Sequence, residues 1–468
     1  MTHISLYDDQ ADLIDRIRGK MARHKSILMQ SATGSGKTVM AAYMIQSAVA
    51  KGNRCVFVVP RNELLRQTAE TFNAFGIDFG YFAAGYVTNP FAKVTLASGP
   101  TIARRLDKAP AATVVLVDEV HYGAAQLETI IRHYQARGAW VVGLSATPWK
   151  MSGKGLGDWF DVMEQGPSLG KLIDDGRLSK YRLFAPSAPD LSGVKTTAGD
   201  YAKGQLSEVM ENDRVLIGNA VGHYKKHAAG RLNVTFCTSL KHAEIVAEAF
   251  NAQGIPAAMV SGAMDQDERS RRIKAFARRE LHVLTSVDLL TFGFDLASAA
   301  QMDVTIEAMS DMRPTKSLSL QLQKWGRVLR KKDYPALIFD HAGNSDQDRG
   351  HGLPDDPRDW TLEGRDKRSK EGAEPTQPVR QCPTCYHVHR PTPECPACGF
   401  VYPVQSRMIE EVDGELAEVT DASRPPKQSV LVGHIARTQG RAGLENYAKI
   451  HKYKSGWVDR QLRVRNML

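Results

Sequence analysis

The sequence predicts an α/β protein: two tandem parallel sheets covered by helices, then a small four-cysteine zinc module and a basic C-terminal segment. Two observations carry this. Short runs that are apolar on both faces recur at helix-sized intervals through residues 1–180, and a second series follows in 181–345. Strands buried on both sides and separated by amphipathic stretches belong to parallel sheets sandwiched by helices. Past residue 345 the composition turns polar and charged, and four of the six cysteines cluster as two C-x-x-C pairs.

In the first series, strands are expected at 27–29, 55–59, 93–97, 113–117 and 140–144, with the β-branched run 113–117 as the central one. In the second they are expected at 233–237, 257–260, 283–286, 303–306 and 336–339, with helices at 240–251 and 266–279. Residues 187–212 are rich in Ser, Gly and Lys and read as an irregular arm. The expected organisation is therefore a first α/β unit at 1–180, a second at 181–345, a polar tether at 346–379, a cysteine module at 380–403 and an acidic-then-basic region at 404–468.

The 468 residues are 42% hydrophobic and 24% charged, as in globular proteins. No apolar run approaches the roughly 20 residues that cross a bilayer, and the first residues lack a basic region followed by an apolar core. The expectation is a cytoplasmic chain with no membrane partner. Its net charge of +9 is concentrated at one end: residues 424–468 carry ten Lys and Arg against Glu445 and Asp459. A basic terminal segment points to a polyanion, nucleic acid first, or to a solvated surface. Tyr447, Tyr453 and Trp457 alternate with these cations, a composition that stacks bases while gripping phosphates or that builds the core of a small helical unit. The basic run at 269–279 follows acidic residues and suits a helix dipole.

Ser31-Ala32-Thr33-Gly34-Ser35-Gly36-Lys37-Thr38 lies between a strand-like run and a helix-like run. In that setting backbone N–H groups of Thr33, Gly34, Ser35 and Gly36 wrap a triphosphate, Lys37 reaches the β- and γ-phosphates, and Thr38 ligates Mg²⁺. The second unit has no such loop. The run 113–117 ends in Asp118-Glu119-Val120-His121. Two acids at that strand end suit NTP hydrolysis, with Asp118 on Mg²⁺ and Glu119 orienting and deprotonating water. Beside them His121 suits a coupling role. Ser145-Ala146-Thr147-Pro148 ends the next strand, where the Ser145 and Thr147 hydroxyls can bond the Asp118/His121 loop.

Phosphate loop, Asp-Glu-x-His, Ser-Ala-Thr and Gln323-Lys324-Trp325-Gly326-Arg327-Val328-Leu329-Arg330 occur in that order over about residues 5–342 and resemble superfamily 2 helicases. Asp340-His341-Ala342-Gly343-Asn344, Leu289-Leu290-Thr291-Phe292-Gly293-Phe294-Asp295 and the downstream cysteines look most like the RadD-like branch of bacterial and phage DNA helicases. The resemblance implies two RecA-like domains, ATP and Mg²⁺ as cofactors, and a bacterial or phage-infected cell. It implies that Gln10 reads the adenine edge, although Asp9 stands where the family more often has an aromatic. Pro60, Arg61, Ser98, Thr101, Thr238 and Ser239 would touch the nucleic-acid backbone. Gly293 and Asp295 would line the cleft, Asp295 near the ribose, with Ala297 in place of a frequent proline. Gln323 would couple the domains. Arg327 and Arg330 would be arginine fingers, which the chemistry favours independently, since a unit without a phosphate loop can still offer cations to a γ-phosphate bound on the other.

Cys382-Pro383-Thr384-Cys385 and Cys395-Pro396-Ala397-Cys398-Gly399 suit a structural Zn²⁺, with an iron–sulfur centre as the alternative and His387 and His389 as spare ligands. Cys55 and Cys237 read as buried, inert thiols. The function expected is an ATP-dependent helicase or translocase on nucleic acid, DNA favoured and RNA open. A protein could dock on the zinc module or the C-terminal region. The alternative is an ATP-gated clamp without processive unwinding.

Overall fold

A computed structural model describes residues 5–122, 124–150, 152–185, 188–197, 199–289, 296–346, 350–364, 379–403, 428–451, 453 and 456–464. The chain divides into two compact units, 1–402 and 403–468. Gly293 and Asp295 lie outside the described residues.

The first sheet is built from β1 (Ser26–Gln30), β2 (Cys55–Val59), β3 (Gly80–Phe82), β4 (Val94–Ser98), β5 (Val114–Val117), β6 (Trp140–Ser145) and β7 (Val162–Gln165). They lie in the order β3-β4-β2-β5-β6-β1-β7, every pairing parallel. Side chains alternate across a strand, and the core divides accordingly. Ile27, Met29, Phe57 and Leu116 meet Leu13, Ile45 and Phe72 on one face. Leu28, Val56, Val58, Val115 and Val117 meet Ile131, Tyr134 and Phe160 on the other. β3 and β7 are not among the expected strands: β3 has only three residues, and β7 is a partly exposed edge ending Glu164-Gln165.

The second sheet contains β8 (Tyr181–Phe184); a separate hairpin, β9 (Thr196–Thr197) and β10 (Asp200–Tyr201), follows it in the chain. The sheet continues with β11 (Asn233–Phe236), β12 (Ala257–Val260), β13 (Val283–Ser286), β14 (Ala308–Asp311) and β15 (Ala336–Asp340). Its parallel part runs β12-β13-β11-β14-β15-β8. The strand expected at 303–306 is corrected to Ala308–Asp311. Val304 and Ile306 are buried, but pairing with β11 begins only at Ala308. Ser310 and Asp311 disguise the strand because the Asp311 charge is met inside the fold by Lys324. The arm expected at 187–212 is not wholly irregular: it holds the β9–β10 hairpin and a helix, Lys203–Asn212, that buries Leu206 and Met210. β8 is likewise absent from the expectation.

The cysteine module extends this sheet. β16 (Arg380–Gln381) pairs antiparallel with β17 (His387–His389), and β17 pairs antiparallel with β8. In the stretch read as a tether, residues 350–364 pack: Leu353 is buried, Trp360 lies edge-on to Trp149, and Trp149 Nε1 donates to the Thr361 carbonyl at 2.9 Å. Cys55 and Cys237 are buried, and burial pushes the Cys55 thiol up to about 12. No helix among the described residues is long and apolar enough to cross a membrane.

The second unit, taken by itself, is helical. Gln428–Ile450 is broken at Gly440, whose φ of 58° no ordinary helical residue adopts, and Trp457–Val464 follows. Val432, Ala436, Leu444 and Leu462 form its core, and Tyr453 stacks on Trp457 at 4.5 Å.

Two histidines are folded in as neutral groups. Burial holds His242 down to about 4, and burial followed by the neighbouring His223 holds His341 down to about 3, with neither His341 nitrogen hydrogen-bonded. Below pH 6.5 the unfolded chain binds protons that these folded sites refuse, so stability falls as pH drops from 6.5 towards 4. At pH 5 each group costs about 2 kcal/mol. Chemical denaturation of His341→Phe at pH 7.5 and pH 5 should show a loss between the two that is about 2 kcal/mol smaller than wild type; an identical loss would remove His341 as a source of acid sensitivity.

Candidate functional site

Parallel strands place their carboxyl ends on one edge, and ligands bind in the crevice there. The phosphate loop follows β1, Pro60 and Arg61 follow β2, Ser98 ends β4, Asp118 follows β5, and Ser145 ends β6. Thr238 follows β11 at the corresponding edge of the second sheet. Between the two edges lies a cavity of about 380 Å³ lined by Thr33, Gly34, Gly36, Lys37, Thr38, Asp118 and Glu119 from the first sheet's side and by Arg327 and Arg330 from the second's.

Gly36 opens the helix Lys37–Ala50 in the left-handed region, φ 84°, and leaves no room for a Cβ, which would meet the Gln10 amide at 2.7 Å. The loop is braced from within by the Ser31–Ser35 hydroxyl pair at 2.7 Å. Lys37 Nζ donates to the Ser31 carbonyl at 3.3 Å, so its ammonium already lies over the loop. Gln10 is almost fully buried. Its Nε2 donates to the Ser35 carbonyl at 2.7 Å and its Oε1 accepts from the Tyr7 N–H at 3.0 Å. Gln10 thus ties the first helix to the phosphate loop, with one amide hydrogen left for a ligand.

Asp118 accepts the Glu119 N–H at 3.0 Å, and Glu119 takes a positive φ of 45°. Desolvation and then the Glu119 charge push Asp118 up to about 7, against the pull of Lys37. A divalent cation there would hold it ionised. His121 is buried and neutral: burial lowers its pKa, opposed by Glu119 and assisted by Lys37. Its tautomer follows from its partners. Ser145 Oγ donates to the Thr147 carbonyl and accepts from His121 Nδ1 at 2.8 Å. His121 Nε2 is therefore the acceptor, and Gln323 Nε2 donates to it at 2.9 Å. Glu119 Oε2 lies 3.3 Å from the same Nδ1. One imidazole thus links Glu119, the Ser145 turn and the second sheet's helix.

The Thr147 hydroxyl goes elsewhere than expected. It pairs with Ser319 Oγ at 2.5 Å, across to the second sheet's side, and not with the Asp118/His121 loop. The reason is proximity: the helix Leu318–Val328 lies against this edge, so closely that a Cβ on Gly326 would come 2.3 Å from Thr33 Cγ2. That helix is fixed by Lys324, whose Nζ donates to both Asp311 oxygens at 2.7 Å with both side chains out of water.

The residues expected at the nucleic acid are placed less uniformly. The Arg61 guanidinium lies 4.4 Å from the Tyr122 ring centroid. Ser98 Oγ donates to Asn62 Oδ1 at 2.5 Å, Thr101 Oγ1 accepts the Ala84 N–H at 3.2 Å, and Ser239 Oγ caps the helix Leu240–Ala252 by accepting from the His242 N–H at 2.9 Å. Thr238 Oγ1 meets His242 Nδ1 at 3.0 Å. Each of these hydroxyls has a partner inside the protein, and Pro60 stands half-buried at the β2 end. The reading from sequence did not include Arg177, Leu178 and Lys331, which line the cavity, or Ser319. No local motif marks them; only the fold brings them in.

The four cysteine Sγ atoms lie within 4.8 Å of one another, with Cys382–Cys398 at 3.6 Å and Cys385–Cys395 at 3.7 Å. Tetrahedral Zn²⁺ with bonds of about 2.3 Å sets its sulfurs about 3.8 Å apart, so the donor set fits that ion. His387, His389 and Cys395 form a second close group, but His389 already meets the Tyr402 hydroxyl at 2.8 Å.

Residues 3–150 match the model of the type III restriction enzyme res subunit, and residues 215–332 that of the helicase conserved C-terminal domain. A 51.5 kDa protein of Lactococcus phage (isolate 7-9) is 30% identical over 383 residues, covering 81% of this chain and 79% of its own. Among solved structures, a fragment of a candidate HsdR subunit of a type I restriction enzyme from Vibrio vulnificus YJ016 aligns with TM-score 0.57 and 21% identity over 76% of this chain and 68% of that one. The ATP-dependent Type ISP restriction-modification enzyme LlaBIII, bound to DNA, aligns with TM-score 0.53 and 16% identity over 75% of this chain, which spans only 29% of it. These two likenesses are of fold. With the phosphate loop and Asp-Glu-Val-His inside the first matched domain and the arginine-bearing helix inside the second, the chain belongs to the superfamily 2 helicases.

Proposed function

We propose that this chain is a nucleic-acid-stimulated ATPase that converts ATP turnover into movement along DNA. The observation that carries it is the shared cavity: phosphate-loop and acidic residues from one sheet and two arginines from the other line a single space. Glu119 would orient and deprotonate the attacking water, while Lys37, Arg327 and Arg330 would neutralise charge on the transferring phosphoryl group. Thr38 and Asp118 would hold Mg²⁺, which supplies further charge neutralisation between the phosphates. Because Arg327 stands on the second sheet's helix and Arg330 just past its end, the charge clamp depends on how that helix docks, so hydrolysis and domain motion are coupled. His121, held by Ser145 and Gln323, is the proposed relay. DNA is favoured by the basic C-terminal segment and by the DNA-bound LlaBIII, which shares the fold. The structural metal proposed for the cysteine module is zinc.

ATP hydrolysis with no polymer, single-stranded DNA, duplex DNA and RNA tests the reading, and stimulation by DNA is expected. Turnover indifferent to all three would favour the ATP-gated clamp. Lys37→Ala should abolish hydrolysis. Glu119→Gln should bind ATP with turnover down at least about 100-fold, and wild-type turnover in that variant would remove Glu119 as the base.

Gln323→Ala should lower stimulated turnover by roughly 10-fold or more with ATP affinity held, since it breaks the relay and leaves the phosphate loop intact. A rise in the ATP dissociation constant without loss of turnover would count against coupling through His121.

Metal analysis of the purified chain should find about one zinc, lost in Cys382→Ser, with no visible absorption. A brown protein carrying iron would replace zinc by an iron–sulfur centre.

A further inference from the structure

The phosphate end of the cavity is accounted for by Lys37, Thr38 and the two arginines, yet a third arginine lines the same space. Arg177 follows the helix Leu169–Asp174, and its side chain is 11% exposed. Its Nη1 donates to Asp9 Oδ1 at 2.9 Å and its Nη2 to Asp9 Oδ2, a two-pronged pair that fixes the plane of the guanidinium. Asp175 lies 3.5 Å from the same Nη2. The guanidinium carbon sits 4.7 Å from the Tyr7 ring centroid. Two carboxylates therefore already balance its charge, which makes it a poor grip for a phosphate. A planar group pinned at its edge still offers a face on which another flat, polarisable group stacks.

Its place relative to the phosphate loop shows what that group is. Asp9 precedes Gln10, whose amide touches the Ser35 carbonyl of the loop. Leu178, next along from Arg177, walls the loop so closely that a Cβ on Gly34 would meet it at 2.8 Å. Arg177 thus flanks the loop on the side where Gln10 has an amide hydrogen to spare. We infer that Arg177, held flat by Asp9 and backed by Tyr7, is the surface on which the purine base of the bound nucleotide stacks. This rests on reading residues 31–38 as the nucleotide site.

The same segment is tied to the fingers. Leu178 bridges Arg330, and the Ser179 N–H donates to the Leu329 carbonyl at 2.9 Å. A base seated on Arg177 therefore bears on the segment that bridges Arg330, so base recognition and finger placement share one short piece of chain.

The test is equilibrium binding to the full chain with Mg²⁺, by competition against a ribose-tagged fluorescent ATP, of ATP, CTP and inorganic tripolyphosphate. Wild type should prefer ATP to CTP and both to tripolyphosphate. Arg177→Lys keeps a cation beside Asp9, and so the fold, while removing the plane. It should weaken ATP by about 10-fold, narrow the ATP-to-CTP ratio and leave tripolyphosphate unchanged; Arg177→Ala should match it. ATP affinity unchanged in Arg177→Lys would overturn the proposal and leave the pair as a structural tie. Equal weakening of ATP and tripolyphosphate would also overturn it, by showing that Arg177 acts on the phosphates. Wild type binding neither would overturn the reading of the phosphate loop and this inference with it.

Discussion

A charge pair sealed from water decides where the second half of the active cavity stands. Lys324 and Asp311 are both fully buried, and Gln321 and Asn344 each donate to Asp311 Oδ2 at 3.0 Å. Taking two charges out of water is expensive, and removing one partner of such a pair generally costs about 3–5 kcal/mol. The helix Leu318–Val328 is therefore held to one docking on β14. That docking aims Gln323 at His121, brings Gly326 against Thr33 and turns Arg327 to the cavity. A hydrophobic contact of equal strength would tolerate sliding; a doubly hydrogen-bonded ammonium does not.

From that helix the constraint passes outwards through short polar contacts. Thr147 meets Ser319 and His121 meets Gln323, each joining the first sheet's domain to that helix. Apolar contact accompanies them, since Ala32 shares one buried cluster with Leu178, Leu322 and Trp325. Short directional bonds can break and re-form as a unit, whereas the cores of the two sheets cannot deform gradually. The residues that line the cavity sit among the groups that make this joint.

The cysteine module belongs to this picture through β17, which continues the second sheet beside β8. β8 begins just after Leu178 and Ser179, so one continuous segment runs from the cavity wall to the strand that receives the module. Arg390 to Asp356 at 2.7 Å binds the module to the stretch 350–364 as well, and Tyr181 of β8 bonds Asp355 in the same stretch. The cysteine module is thereby a brace on the sheet edge and not a separate bead on a tether.

Two kinds of information made the molecule readable from its sequence. Glycines, a lysine and a hydroxyl at fixed offsets can be recognised because a phosphate imposes backbone geometry locally. The paired cysteines can be recognised because a tetrahedral metal imposes spacing locally. Strands β1, β2, β5 and β6 were legible for a related reason, since burial on both faces demands unbroken apolar runs. Where burial is paid for by a distant partner, the signal vanishes: β14 was misplaced because the charge of Asp311 is cancelled by Lys324, thirteen residues on in the chain. β7 hid because an edge strand need not be apolar throughout, and β8 because it opens on the half-buried Tyr181 and Arg182. The sequence by itself determined the two α/β units and the four-cysteine cluster, and it singled out the phosphate-loop and Asp-Glu motifs. Only the tertiary structure decided that Thr147 pairs with Ser319, that Gln10 braces the loop, and that Arg177 reaches Asp9 across 168 residues. Such contacts depend on where separate strands end in space, and no periodicity within either segment encodes that.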